Sequence, residues 1–177
     1  MKQFGGPAFF IDRNDINTDE IIPAKYLTEI SKQALKPHLL EDLHLGEGEF
    51  DPRSEALARS TVLVTRANFG CGSSREHAVW ALEVNDINVV IGESFARIFR
   101  QNMFNCGILA VELPAEEIDR LFALGNEVEI NVDIDAGRLV ATNRQGDESV
   151  ACSFSLNPFD RELVAAGGWL AYAEKMY

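Results

Sequence analysis

Residues 61–78 read TVLVTRANFGCGSSREHA, and their pattern indicates how the chain folds. It opens on Thr61–Thr65, a β-branched run typical of a buried strand, and the run gives way to the glycine-rich turn Gly70–Gly72. A helix is predicted next, because Ser73-x-x-Glu76 is a capping-box pattern with apolar positions at helical spacing after it. The stretch therefore predicts a strand, a tight turn and a helix.

The same alternation of strands and helices continues on both sides. Downstream, a strand is predicted at Asn88–Ile91, a helix at Ser94–Asn102 and a further strand at Ile108–Val111. Upstream, Pro7–Ile11 is predicted as a first strand that leads into the turn-forming segment Asp12–Asp19. Strands that alternate with helices pair in parallel, with each helix crossing between neighbouring strands. This part of the chain is therefore predicted to hold a parallel sheet.

The carboxyl-terminal part follows a different pattern. Apolar and polar residues alternate over Val128–Ile134, up to the turn Asp135–Gly137, as in a half-buried antiparallel strand. Leu139–Thr142 and Val150–Phe154 are predicted to return beside it, and Pro158–Ala166 is predicted to close the chain as a helix. The predicted fold class is therefore α/β with mixed sheets.

Length and composition restrict the class of protein. The 177 residues, 46% of them hydrophobic, suit a single domain, 1–177, with Leu45–Pro52 as a surface loop. Its longest apolar stretches, such as Ala8–Ile11, are far shorter than the roughly 18 to 20 residues that span a bilayer. Because the amino terminus also lacks the pattern of a signal peptide, we expect a cytoplasmic protein without a membrane partner.

Charge and cysteine content narrow the class further. A formal net charge of −12 repels a phosphate backbone, so nucleic acid is a poor candidate partner. Cys71, Cys106 and Cys152 are far apart and lack the spacing of metal ligands. We therefore expect this chain alone to bind no metal, neither zinc nor an iron–sulfur cluster, and to keep reduced thiols.

The segment Gly70–Ala78 carries most of the chemical information. Its paired glycines bring two hydroxyls and a guanidinium, those of Ser73, Ser74 and Arg75, to a helix start, where backbone N–H groups attract anions. We therefore expect an anionic ligand. The structural alternative is that Ser73 only caps the helix, and His77 is interpreted as a hydrogen-bonded structural residue.

Familiar nucleotide and hydrolase motifs do not fit this segment. The third glycine of G-x-G-x-x-G would fall at Arg75, and no G-K-[ST] follows for a phosphate-binding loop. The G-x-S-x-G elbow of serine hydrolases is also absent. A nucleotide-binding module and a serine hydrolase are therefore weakly supported.

A second cluster, Ser94–Gly107, is interpreted as structural. Phe95, Ile98 and Phe99 follow helical spacing, which predicts a helix that faces the core. Ser94 is the predicted cap, and Gly107 the predicted end of the helix.

Three motifs together carry a resemblance to a known family. Residues 72–78, GSSREHA, resemble the signature of the aconitase swivel domain. Asn17–Leu27, NTDEIIPAKYL, and Ser94–Phe99, SFARIF, stand in the order that this family places them, and ordered motifs are more specific than one alone. The free-standing length and the NFGCG of residues 68–72 make the chain most similar to the small subunits of 3-isopropylmalate dehydratases.

The resemblance implies a fold, a partner and an activity. The fold is a swivelling β/β/α domain, and the partner is the large subunit of 3-isopropylmalate dehydratase, which carries a [4Fe–4S] cluster. The activity is that of a hydro-lyase that interconverts 2-isopropylmalate and 3-isopropylmalate by dehydration and rehydration, in leucine biosynthesis. Such an enzyme is active only when both subunits are present.

The resemblance also assigns roles to individual residues. Ser73 becomes the base that removes the carbon-bound proton, and Asp19 supports it as a second catalytic residue. Ser74 and Arg75 bind a substrate carboxylate, and Thr18 is placed beside the substrate with them. None of these roles follows from composition or spacing.

Substrate choice is assigned by the resemblance to the residues around the Tyr-Leu pair, Tyr26 and Leu27, and to Thr28 after it. Family members that act on a third carboxylate tend to have Arg at this place, whereas this chain has Thr28 and Glu29. A negative Glu29 disfavours a tricarboxylate.

Several alternatives stay open at the level of sequence. Lys25 and Lys32 lie near enough to offset Glu29, so related substrates such as methylmalate or citraconate, dimethylmalate and homoaconitate are not excluded. Two interpretations from other functional classes also stay open: the chain could be a non-catalytic anion-binding module or a purely structural partner chain.

Overall fold

A mixed β-sheet organises the chain in the computed structural model, which describes residues 3–45, 50–73 and 75–177. Its strands are β1 (Phe4–Phe10), β2 (Val62–Val64), β3 (Val89–Gly92), β4 (Leu109–Glu112), β5 (Val128–Asp133), β6 (Arg138–Asn143) and β7 (Ser149–Ser153). Across the sheet the order is β4-β3-β2-β1-β5-β6-β7. Neighbours from β4 to β1 pair in parallel and those from β1 to β7 are antiparallel, which confirms the predicted α/β class with mixed sheets.

Helices connect and cover these strands. They are α1 (Thr18–Ile21), α2 (Glu55–Arg59), α3 (Glu76–Val84), α4 (Arg97–Asn105), α5 (Ala115–Phe122), α6 (Pro158–Ala166) and α7 (Trp169–Met176), with 3-10 helices at Ala24–Tyr26 and Lys32–His38. Over the described ranges, none of them is long and apolar enough to cross a membrane.

β1 joins the two halves of the sheet, because it pairs in parallel with β2 and antiparallel with β5. It begins at Phe4, earlier than the predicted Pro7. The reason is Gly5, whose φ is +125° and where a Cβ would lie 2.4 Å from the carbonyl oxygen of Ile130. Glycine therefore permits the close approach to β5 that an ordinary strand residue would prevent.

The centre of the core lies at the parallel strands. β2 and β3 are buried along their whole length, which explains why their sequences are unbroken apolar runs. α4 contributes Phe99, Met103 and Phe104 to the core. The Phe99 ring packs edge-on against Phe69, with ring centroids 5.5 Å apart, and so joins α4 to the loop that follows β2.

Both predicted serine caps are wrong. α3 takes Arg75 as its N-cap, and the carbonyl of Ser73 accepts from the Arg75 N–H at 2.9 Å, which places Ser73 in a turn ahead of the helix. α4 takes Ala96 as its N-cap, while the hydroxyl of Ser94 accepts from the N–H of Asn68 at 2.9 Å. Ser94 therefore holds the loop after β2 and does not begin a helix.

The predicted core face of α4 is correct only in part. Phe95 and Phe99 are buried, but Ile98 is 57% exposed because the buried face continues through Met103 and Phe104. Half of the predicted surface loop Leu45–Pro52, residues 46–49, lies outside the described residues. That the chain forms one domain stays a prediction.

The predicted antiparallel strands and the helix α6 are confirmed, with Asn157 as the N-cap of α6. The sequence pattern does not predict α1, α2, α7 or the 3-10 helices. α1 and α2 are too short to show a helical period. α7 has no fully buried residue, and only its Tyr172 packs against the core in the described part of the chain, so its sequence shows no clear buried face.

Phe99→Ala is expected to lower the free energy of unfolding of the purified chain by about 3–5 kcal/mol, since it leaves a cavity between α4 and the loop after β2. Ile98→Ala, the exposed neighbour on the same helix, is expected to change it by less than about 0.5 kcal/mol. Urea unfolding followed by circular dichroism measures both. Equal effects of the two substitutions would contradict the packing described for α4.

Candidate active site

The loops that follow β1, β2 and β3 lie side by side at the carboxyl edge of the parallel strands. The N–H of Ile11 donates to the Val64 carbonyl at 2.8 Å, and the N–H of Thr65 donates to the Ile91 carbonyl at 2.8 Å. Strand pairing thus continues into the loops. Open α/β sheets bind ligands at this edge.

Backbone hydrogen bonds tie the first two of these loops together. Among the described residues these are Asp15 N–H to Ala67 carbonyl at 2.9 Å, Gly70 N–H to Ile16 carbonyl at 2.8 Å and Thr18 N–H to Cys71 carbonyl at 2.9 Å. Asn17 and Cys71 form a parallel bridge within this ladder. We call these contacts the inter-loop ladder; it fixes two segments that are distant in sequence against each other.

α1 begins directly at the ladder. Asn17 Oδ1 accepts from the Glu20 N–H at 3.0 Å, and Glu20 Oε1 accepts from the Asn17 N–H at 3.2 Å, which is a capping box. Arg13 also pairs with the Glu20 carboxylate. Burial raises the pKa of Glu20, but the bonds from Arg13 and Asn17 outweigh it and hold that pKa below its usual value. Glu20 is therefore committed to structure, and Asp19 is the carboxylate of this turn that meets the second loop.

Two glycines shape the second loop. Gly70 and Gly72 have φ values of +83° and +98°. A Cβ on Gly70 would lie 2.2 Å from Cγ of Phe99, so α4 packs directly on the backbone there. Gly72 is exposed, and the nearest atom to a Cβ there would be Thr18 Oγ1 at 3.5 Å. Gly70 is required by packing, and Gly72 keeps the outer surface of the turn free of side chains.

Ser73 lies on that outer surface. Its side chain is exposed, and its hydroxyl has no hydrogen-bond partner in the described part of the chain. The interpretation of Ser73 as only a helix cap is therefore wrong, and the hydroxyl is available to a ligand. Ser74 lies outside the described residues, so its predicted role stays a prediction.

Arg75 and Asp19 form an ion pair across the two loops. Arg75 Nη1 lies 2.7 Å from Asp19 Oδ1, with side-chain exposures of 31% and 61%. Counting described residues only, this is the single hydrogen bond of the guanidinium, which leaves further N–H groups for a ligand carboxylate. A pair this exposed contributes about 0–1 kcal/mol to stability, so its main effect is to orient Arg75.

Thr18 and Cys71 lie behind the turn. Thr18 is 2% exposed, and its backbone N–H is part of the inter-loop ladder. Burial and the nearby Asp15 carboxylate raise the pKa of the Cys71 thiol, so it stays protonated at neutral pH and is not a nucleophile. Both residues support the turn in this structure, and the predicted contact of Thr18 with substrate stays a prediction.

The segment predicted to choose the substrate side chain is held by Glu41. Tyr26 Oη donates to Glu41 Oε2 at 2.8 Å, and the Tyr26 ring stacks on His38 with centroids 3.8 Å apart. His38 Nδ1 lies 3.2 Å from Glu41 Oε1. Thr28, two residues along, is exposed. The Tyr26 hydroxyl is therefore engaged, and Thr28 is presented at the surface.

His77 ties the same segment to α3. Its Nε2 lies 3.2 Å from the backbone carbonyl oxygen of Glu29, and this nitrogen carries the proton because a carbonyl only accepts. Leu27 is half-buried between these contacts, and Glu29 is exposed. The interpretation of His77 as a hydrogen-bonded structural residue is confirmed. His77 lies in the first turn of α3, the helix that follows the turn with Ser73, so the segment lies beside that turn.

Sequence reasoning missed the contacts of Glu41 and the partner of His77. The only sequence signal was the spacing of His38 and Glu41, three residues apart, which is too common to identify a site. These contacts arise because the 3-10 helix Lys32–His38 packs alongside α3. No periodicity or motif encodes that arrangement.

The site is open on one side. A cleft of about 920 Å³ adjoins Gly70 and Gly72 and runs between the start of α4 and the start of α6. Ile98 and Phe159 in its lining are 57% and 48% exposed. The turn that carries Ser73 is therefore accessible from this cleft in the isolated chain.

The described residues contain no group of three or more His, Cys, Asp or Glu side chains placed to bind a metal ion. Cys71, Cys106 and Cys152 are not joined to one another by disulfides in the described part of the chain. The expectation that this chain binds no metal stays a prediction.

Known proteins are similar to this chain in sequence. Residues 8–116 match the model of the aconitase C-terminal domain family. The 3-isopropylmalate dehydratase small subunit of Novosphingobium aromaticivorans is 40% identical over 168 residues, 94% of this chain and 80% of that protein. The small subunit 2 of Deinococcus radiodurans is 41% identical over 90% of this chain and 71% of its own length. The small subunit of Pseudoalteromonas translucida is 31% identical over 94% of this chain and 98% of its own length.

A solved structure shares the fold. The crystal structure of 3-isopropylmalate dehydratase from Methanocaldococcus jannaschii superposes with a TM-score of 0.76 at 30% identity, over 99% of this chain and 95% of that one. Sequence and fold agree, and they confirm the resemblance carried by the three motifs. The chain therefore belongs to the aconitase C-terminal domain family and, within it, to the small subunits of 3-isopropylmalate dehydratase.

Proposed function

We propose that this chain is the half of a hydro-lyase that supplies the proton-removing base, and that the enzyme interconverts 2-isopropylmalate and 3-isopropylmalate in leucine biosynthesis. The observation that carries the proposal is an exposed Ser73 hydroxyl on a turn that the inter-loop ladder fixes beside Arg75 and Asp19. The relatives are named small subunits, so this chain works with a large subunit.

Ser73 would remove the carbon-bound proton. A serine hydroxyl is a weak base, so its alkoxide has to be stabilised by positive potential nearby. Arg75 supplies one full charge, and the first N–H groups of α3 add the positive end of a helix dipole. Because Ser73 does not cap that helix, its oxygen is not already occupied by a backbone N–H.

Arg75 would bind one substrate carboxylate with the N–H groups that Asp19 leaves free, and Ser74 would add a hydroxyl to the same carboxylate. Asp19 orients the guanidinium through the 2.7 Å contact. The [4Fe–4S] cluster assigned to the large subunit would supply a Lewis acid for the departing hydroxyl. No residue of this chain is assigned to hold it.

An alkyl side chain on the substrate is favoured over a third carboxylate. Glu29 is exposed beside the site and would repel a further negative charge. The two lysines that could neutralise the charge of Glu29 are each paired with a different carboxylate. Lys25 Nζ lies 3.9 Å from Glu41, and Lys32 Nζ lies 3.0 Å from Glu83. This supports isopropylmalate over homoaconitate and does not separate it from dimethylmalate or methylmalate.

Some of the expectations stay predictions. These are the cytoplasmic location, the lack of nucleic-acid and membrane partners, and the substrate itself. Replacing Ser73 distinguishes the proposal from the two alternatives, a non-catalytic anion-binding module and a purely structural chain. Loss of turnover in the assembled complex supports the proposal, and unchanged turnover supports the alternatives.

Ser73→Ala is expected to reduce kcat of the complex assembled with the large subunit by at least about 100-fold, since a positioned base contributes about 10²–10⁴-fold. Thermal stability should stay unchanged, because Ser73 caps no helix. Ser155→Ala, an exposed serine outside the site, is the matched control. Activity of Ser73→Ala within a few-fold of the parent complex would show that the base lies elsewhere.

Arg75→Lys keeps the charge and loses the planar fork. We expect KM of the assembled enzyme to rise and kcat/KM to fall by about 10- to 100-fold, since a hydrogen bond to a charged group is worth about 1.5–3 kcal/mol. Arg59→Lys, another exposed ion-paired arginine, controls for the change of residue type. Parent-like kinetics in both Arg75→Lys and Arg75→Ala would remove Arg75 from the site.

A further inference from the structure

The segment Tyr26–Glu29 is attached at both ends by side chains that lie outside residues 70–73, which we call the catalytic turn. Glu41 binds the hydroxyl of Tyr26, and His77 binds the carbonyl of Glu29. Between these two contacts Thr28 is exposed. The segment is therefore anchored at its ends and presents its middle to the surface.

At the first anchor, the Glu41 carboxylate contacts both Tyr26 and His38. The Tyr26 hydroxyl lies 2.8 and 3.2 Å from the two Glu41 oxygens, and His38 contacts one of them at 3.2 Å. Burial raises the pKa of Glu41, and bonds from Tyr26 and His38 outweigh it and lower that pKa, so the carboxylate is ionised at neutral pH. Burial and Glu41 both raise the pKa of Tyr26, so its hydroxyl stays a donor.

The His77 anchor is fixed to α3. The imidazole packs against Trp80 one turn further along, with ring centroids 4.6 Å apart. Lys32, just after the segment, lies over the same indole at 5.5 Å and pairs with Glu83 at 3.0 Å. Because α3 follows the turn with Ser73 directly, the His77 bond links the position of the segment to that of the turn.

We infer that Glu41 and His77 are positioning residues for substrate selection: they hold the segment Tyr26–Glu29 in register with the catalytic turn, so that Thr28 contacts the substrate side chain. The inference rests on the proposed function. An exposed loop without such anchors samples many conformations, and a misplaced contact discriminates poorly between side chains that differ by a few methyl groups.

The test measures kcat and KM of the assembled holoenzyme for isopropylmalate and for 2-methylmalate. Glu41→Ala removes the acceptor of Tyr26, and His77→Phe keeps a ring on Trp80 but removes the donor to Glu29. Each variant is expected to raise KM for isopropylmalate and to reduce the preference for it, as a ratio of kcat/KM values, by at least about fivefold. Their kcat for isopropylmalate should stay within about threefold of the parent.

Conservative variants separate positioning from a general structural role. Glu41→Gln keeps an acceptor oxygen and His77→Gln keeps an N–H donor, so both are expected to retain most of the preference. Glu127→Ala, which removes the carboxylate of an exposed ion pair with Arg59, is the matched control and should leave both constants unchanged.

A third variant keeps the inference testable if Glu41→Ala folds poorly. Tyr26→Phe removes the same hydrogen bond but keeps the stacked ring. If Glu41 and Tyr26 act through one contact, the variant that combines Glu41→Ala and Tyr26→Phe should lose as much of the preference for isopropylmalate as either single variant does. An unchanged preference in Glu41→Ala, His77→Phe and Tyr26→Phe, with an active parent, would overturn this inference alone. A parent complex inactive on both substrates would overturn the proposed function and the inference together.

Discussion

The inter-loop ladder is the constraint on which the site depends. Its bonds from Gly70 to Ile16 and from Thr18 to Cys71 extend the parallel pairing of β1 and β2 beyond the strands. Without it, the loops after these strands would be independent, and Asp19 would have no fixed relation to Arg75. The ladder consists of backbone bonds, so it does not depend on the side chains that the chemistry uses.

Packing beneath the ladder determines which part of the turn is rigid. α4 presses Phe99 directly onto Gly70, where no other residue would fit. Gly72 and Ser73, two and three residues later, are exposed. A rigid inner half and an open outer half suit the role proposed for this turn, because a catalytic hydroxyl has to be held in place and still be reached by a substrate.

Much of the fold is predictable because burial leaves a direct record in the sequence. The unbroken apolar runs of β2 and β3 predict strands that are buried on both faces. The alternation of apolar and polar residues in β5 predicts a strand that is buried on one face only. The serine caps are not predictable from pattern, because Ser94 is used by a neighbouring loop that is distant in sequence. Gly5 breaks a strand pattern but lies inside β1, since the close approach to β5 is a tertiary effect.

The same division holds for the site. Ser73, Arg75 and Asp19 lie in motifs that a single sequence reveals, and the structure brings Arg75 and Asp19 into contact. The contacts of Glu41 and the partner of His77 could not be identified, because they are a hydroxyl and a carbonyl brought close by the packing of a 3-10 helix on α3. The motifs therefore indicate the candidate site residues and His77, while the contacts that hold them in place follow from tertiary structure.

The chain presents one side of a site whose other side is open along the cleft beside α4. In the proposed function, this chain supplies the base and the carboxylate-binding arginine, and a large subunit supplies the rest of the site. The decisive measurement is the turnover of isopropylmalate, 2-methylmalate, dimethylmalate and homocitrate by each subunit alone and by the reconstituted complex. We expect no turnover by either subunit alone and the highest kcat/KM of the complex for isopropylmalate. Turnover by one subunit without the other, or a complex that prefers homocitrate, would refute the proposed function.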